Sequence, residues 1–100
     1  MKTVTIGRLT VANDLPLTVI AGPCQLESLP HALMIAEVMA EACAAAGAQF
    51  VFKGSFDKAN RTSLKGKRGV GLEAGLAILD TVRAKLGCPV LTDIHDPEQA

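Results

Sequence analysis

The sequence predicts an α/β fold built on a parallel sheet, and three observations carry that expectation. Short apolar or β-branched runs alternate with two longer stretches of helical periodicity. Each helical stretch ends in glycine. Polar and reactive residues (Cys24, Lys53, then Asp93 and His95) fall at or just past the C-terminal ends of successive runs.

Taken in order, residues 2–12 read as a hairpin, Lys2–Ile6 and Leu9–Ala12 joined by the two-residue turn Gly7-Arg8. The βα units begin at about residue 17. Leu17–Ala21 is apolar and β-branched and stops at Gly22-Pro23, which predicts a strand buried on both faces. Ser28 can cap the following helix with Pro30 in its first turn. Apolar positions 32, 35, 36, 39, 43 and 46 recur at helical spacing before Gly47 closes the helix. Gln49–Lys53 is the next strand. A second helix is expected over Leu72–Leu86, with Leu72, Leu76, Leu79, Val82 and Leu86 on one side and Gly87 at its end. Pro89–Asp93 follows as a strand, and Asp96-Pro97 has the form of a cap and first position of a third helix.

A hairpin followed by strand, helix, strand, loop, helix, strand implies parallel pairing through right-handed crossovers. Reactive residues at the strand C-termini favour a (β/α)8 TIM barrel over an open sheet. Such a barrel takes about 250 residues, so residues 1–100 are expected to be the N-terminal portion of one barrel domain, covering the hairpin, about three strands and two helices.

Composition narrows the function. Ten acidic residues balance ten basic ones, and only 3% of residues are aromatic, so neither a nucleic acid nor an anionic membrane surface is an expected partner. Glu37 and Glu41 interrupt the Ala-rich segment, and no run reaches the roughly 20 apolar residues of a membrane span. Cys24, Cys43 and Cys88 are an odd set without metal-type or redox-type spacing, which places the chain by default in a reducing cytoplasm.

The densest chemical signal is the stretch 52–63, where Lys53, Lys58 and Arg61 appear among hydroxyls and amides directly after an apolar strand. Mutual repulsion among these cations is relieved by an anion, and a sugar phosphate or carboxylate fits a local cluster on a neutral chain. Lys65, Lys67 and Arg68 continue the charge among glycines. Thr62–Gly71 reads equally as a lid over a bound anion or as a solvated basic loop. His31 has no reactive setting and is expected to be exposed, whereas Cys43 and Cys88 are accounted for by packing.

The segments VANDLP (11–16), AGPCQLES (21–28), FKGSFDKANRTS (52–63), GVGLEAGL (69–76) and TDIHDPEQA (92–100) together resemble the 3-deoxy-D-manno-octulosonate 8-phosphate synthases, aldolase-like transferases of the barrel class. The resemblance covers nearly the whole chain, and KANR is its most specific part. It implies condensation of phosphoenolpyruvate with D-arabinose 5-phosphate, releasing inorganic phosphate, on the route to the lipopolysaccharide inner core. It also implies that Lys53, Ser55 and Lys58 hold phosphoenolpyruvate. Asn60, Arg61 and Thr62 would hold the arabinose phosphate, and Asp93 and His95 would face the sugar and the reacting centre.

In this family the residue after Gly-Pro separates metal-dependent members, with Cys, from metal-independent ones, with Asn. Cys24 therefore implies a divalent metal ion, with the remaining ligands (a His, a Glu and an Asp) outside these 100 residues. The metal either orients the sugar aldehyde or polarises a water. A cytoplasmic homotetramer is implied by the same resemblance. Two alternatives stand beside it. One is the sister 3-deoxy-D-arabino-heptulosonate 7-phosphate synthase acting on erythrose 4-phosphate, against which KANR argues. The other is a non-catalytic barrel fragment, prone to association through an unpaired sheet edge.

Overall fold

The structure is a computed structural model that describes residues 2–56, 71–94 and Pro97. The chain opens with an antiparallel hairpin, β1 (Val4–Ile6) and β2 (Leu9–Val11), in which Ile6 pairs with Leu9 across the Gly7-Arg8 turn. Three parallel strands follow, β3 (Thr18–Ala21), β4 (Gln49–Lys53) and β5 (Val90–Leu91), with β4 in the middle. Two helices, α1 (Leu29–Ala46) and α2 (Leu72–Leu86), form the crossovers. The α/β class expected from the alternation is thus the one observed.

The ends of α1 follow from local chemistry. Ser28 is extended, and its hydroxyl accepts a hydrogen bond from the His31 N–H at 3.2 Å, satisfying one of the free first-turn donors. Gly47 adopts φ 70°. From there its N–H reaches the Ala44 carbonyl at 3.2 Å and the Ala48 N–H reaches Cys43 at 2.8 Å, the paired bonds of a Schellman motif. In α2 no side chain caps the start at Gly71, but Glu73 in the first turn and Arg83 and Lys85 in the last complement the helix dipole.

Register divides the sheet into two unlike faces. Val19 pairs with Phe50, Ala21 with Phe52, and Phe52 with Val90, and all of these belong to the core packed under the helices. Phe52 is fully buried, with the Phe50 ring edge-on to it at 6.5 Å. Ala32, Ala36 and Cys43 of α1 and Ile78, Leu79 and Val82 of α2 complete this core. The opposite face carries Thr18, Ile20, Gln49, Val51, Lys53 and Leu91.

Several expectations are corrected here. β3 is not buried on both faces: on the face away from the helices Ile20 is 49% exposed, although its register partner Val51 is fully buried. Leu76 points outward. The buried arc of α2 runs through Gly75, Ile78, Leu79 and Val82, and Gly75 occupies a core position that an apolar-residue pattern cannot register. The last strand is two residues long rather than five, hydrogen-bonded to β4 alone. His31 is half-buried, with its Nε2 3.6 Å from the Glu27 carboxylate.

One further correction concerns α1, which at 18 residues is long and apolar enough by composition to cross a membrane. Its buried residues, however, pack into the sheet core, as in the crossover helix of an α/β unit. The basic stretch 62–70 and the third-helix start around Asp96 lie outside the described residues.

Candidate functional site

Parallel strands deliver their C-terminal ends to one edge of the sheet, and this edge collects the described candidates. Lys53 is the last residue of β4 and lies on the face away from the helices, in register with Leu91. Its side chain is exposed, so its ammonium is free of the core beneath it. Ser55, two residues on, is the buried polar residue of this region at 3% exposure. Cys24 stands three residues beyond β3 as an exposed free thiol. Asp93 is half-buried two residues beyond β5. Lys58, Asn60, Arg61, Thr62 and His95 lie outside the described residues.

Backbone contacts fix these elements to one another. The Leu26 N–H donates to the Ser55 carbonyl at 2.7 Å, joining the turn after β3 to the exit of β4. The Gly54 N–H donates to the Leu91 carbonyl at 3.2 Å, joining that exit to β5. Gly22 lies so close to the Lys53 peptide that a side chain there would overlap the Lys53 carbonyl oxygen and approach its carbon to 2.8 Å. The Phe56 carbonyl accepts from the Gly71 N–H at 3.1 Å, and Phe56, 1% exposed, packs against Gly75 of α2. The described backbone on either side of residues 57–70 is thus joined by the Gly71–Phe56 hydrogen bond.

Cavities of about 340 and 480 Å³ lie among the described residues at the opposite, N-terminal end of the strands. The smaller is lined by Arg8, Arg83, Cys88 and Pro89, and the larger by Val4, Leu15, Leu17 and their neighbours. Burial pushes the Cys88 thiol above its ordinary range. Arg83 is engaged by Asp80. Neither cavity touches the edge that carries Cys24 and Lys53.

As a metal site the edge is incomplete among the described residues, where no three His, Cys, Asp or Glu side chains come together. Cys24 fits the part of one ligand: it is a free, exposed thiol just past the C-terminal end of a strand, unhindered by any disulfide. The role of Gly22 and Leu26 in holding this edge was not legible in the sequence, because close backbone approach leaves no trace in hydropathy or charge.

The profile of the DAHP synthetase I family matches residues 2–100. Over 98 residues, 98% of the chain, it is 49% identical to a protein of Magnetococcus marinus named 2-dehydro-3-deoxyphosphooctonate aldolase, of which it covers 34%. Proteins of the same name from Bradyrhizobium diazoefficiens and a Chelativorans species are 53% and 56% identical over 96 residues, 96% of the chain, with 34% and 35% of their own lengths covered. The chain spans about a third of the length of these curated relatives. The motifs read from the sequence and the overall similarity point the same way: the chain belongs to the DAHP synthetase I family.

Proposed function

We propose that this chain is part of a (β/α)8 barrel enzyme that condenses phosphoenolpyruvate with D-arabinose 5-phosphate to 3-deoxy-D-manno-octulosonate 8-phosphate and inorganic phosphate, a transferase step of lipopolysaccharide core synthesis. The observation that carries the reading is the gathering of Cys24, Lys53 and Ser55 at one edge of parallel strands, in a chain 49–56% identical to proteins named for that product. The position matches the mouth of a barrel, where such enzymes build their sites.

In this reading Lys53, Ser55 and Lys58 hold the carboxylate and phosphate of phosphoenolpyruvate through charge-assisted hydrogen bonds. Asn60, Arg61 and Thr62 hold arabinose 5-phosphate, with the Arg61 fork gripping two phosphate oxygens. Held together, the two reactants gain effective concentration at the carbon–carbon bond to be made. Asp93 and His95 face the reacting centre and manage its proton transfers. Cys24 offers a thiolate to a divalent cation, which would supply Lewis-acid polarisation of the sugar aldehyde or of a water. The same reading carries a cytoplasmic homotetramer, supported by the family resemblance.

The test is phosphate release from phosphoenolpyruvate by the full reading frame, with arabinose 5-phosphate or erythrose 4-phosphate, before and after a chelator. Arabinose-dependent release, stopped by the chelator and restored by a divalent metal, is the expected result. Preference for erythrose 4-phosphate would move the chain to the sister synthase. Chelator-resistant release would remove the metal while keeping the synthase. Absence of release with either sugar would overturn the reading.

A further inference from the structure

The turn between β3 and α1 holds a single large aliphatic side chain, Leu26, and it is fully buried although Cys24 two residues earlier is exposed. Its contacts explain the difference. The Leu26 N–H donates to the Ser55 carbonyl at 2.7 Å. A Cβ on Gly54 would lie 2.5 Å from Leu26 Cδ2 and 2.9 Å from its Cγ, so the Leu26 isopropyl group fills the space that a side chain at position 54 would take. At its other foot the turn rests on the Lys53 peptide through Gly22. Cys24 is thus carried midway along a turn whose two feet both stand on the exit of β4, the same few residues that present Lys53 and Ser55.

From this geometry we propose that Leu26 is a positioning residue of the site. It keys the Cys24 turn onto Gly54-Ser55, so that the thiol and the phosphoenolpyruvate-holding groups are set by one rigid piece of backbone. The inference rests on the synthase reading and assigns Leu26 a role that acts through Ser55 and Lys53 rather than by touching substrate. Closely packed groups of this kind transmit displacement, because an interior at native density has no slack to absorb a change in volume.

The experiment measures phosphoenolpyruvate binding by calorimetry in the full reading frame, well below the melting temperature, for wild type, Leu26→Ala, Leu26→Val, Leu26→Met, Gly54→Ala and the double variant Leu26→Ala/Gly54→Ala. Melting curves accompany each. Loss of the key should weaken binding about tenfold in Leu26→Ala, while Leu26→Met, which refills the space, stays within about threefold of wild type.

The double variant should bind more tightly than the product of its two single effects, since a methyl at 54 enters the volume vacated at 26. Leu26→Val gives the same reading if Leu26→Ala does not fold. Two results would overturn the role: binding in the folded Leu26 variants within about twofold of wild type, or single effects that simply multiply. A folded wild type that does not bind phosphoenolpyruvate would overturn the synthase reading and the role with it, a result distinct from a wild type that binds and a Leu26 variant that binds equally well.

Discussion

Replacing Gly22 by alanine gives the sharpest test of how the site edge is held. The added Cβ would overlap the Lys53 carbonyl oxygen and stand 2.8 Å from the carbonyl carbon, with the Lys53 nitrogen at 3.2 Å. Carbon atoms in contact rest at about 3.5–4.0 Å and the overlap with the carbonyl oxygen is the more severe, so the end of β3 and the end of β4 must part by at least about 1 Å. Neither side can yield cheaply, because both are backbone, and the Leu26 N–H bond to Ser55 ties the strand exits together just beyond. The overlap should cost about 1–3 kcal/mol of stability, as overpacking does.

The larger effect is expected on turnover, because Lys53 is displaced from the phosphoenolpyruvate that the proposed function has it hold. A misplacement of about 1 Å lowers kcat/KM by a factor on the order of 100. Gly47→Ala is the control. It sits at φ 70° with no atom within 4 Å of the added methyl, at the far end of α1. It should cost about 1–2 kcal/mol through left-handed backbone strain and leave kinetics unchanged. Melting by circular dichroism and steady-state phosphate release on the full reading frame read both quantities. Gly22→Ala with kcat/KM within about threefold of wild type would refute the reasoning, since it would mean that the strand exits part without moving the site.

Three other outcomes are expected. Gln49→Leu removes an amide whose Nε2 donates to the Thr10 carbonyl at 2.9 Å and the Thr18 hydroxyl at 3.0 Å, tying the hairpin to the sheet. It should destabilise by about 1–3 kcal/mol while leaving turnover intact, because the contact is at the opposite end of the strands. Burial raises the Cys88 thiol, so the folded state keeps its proton to higher pH than the unfolded state does. Stability from this source is therefore full below the ordinary thiol range, about 8.5, and declines as pH rises from there through the raised folded value. Cys88→Ala should flatten the alkaline limb of a melting-temperature profile, and an unchanged limb would contradict the assignment. Cys24→Ser should abolish metal-stimulated phosphate release, and unchanged activity and metal content would sink its assignment as a ligand.

The sequence by itself determined the elements and their order, for reasons local to each. Ser28, Pro30 and Gly47 delimit α1 through hydrogen bonds and dihedral preferences that act within a turn, and β4 is bounded where its apolar run meets Lys53. The parallel arrangement followed from alternation alone, and the expectation of an anion site over 52–63 from charges that are adjacent in the chain.

Only the tertiary structure decided which faces are covered and what holds the site. Leu76, expected on the buried side, is exposed, and Gly75 beside it is buried where Phe56, from the exit of β4, packs on the helix. Gly22, Leu26 and Gly54 became the fixtures of the candidate site through contacts between loops nearly thirty residues apart. Periodicity and charge report what a residue does to its own neighbourhood. The distance at which two backbones pass is set by packing across the chain, and no pattern within either segment encodes it.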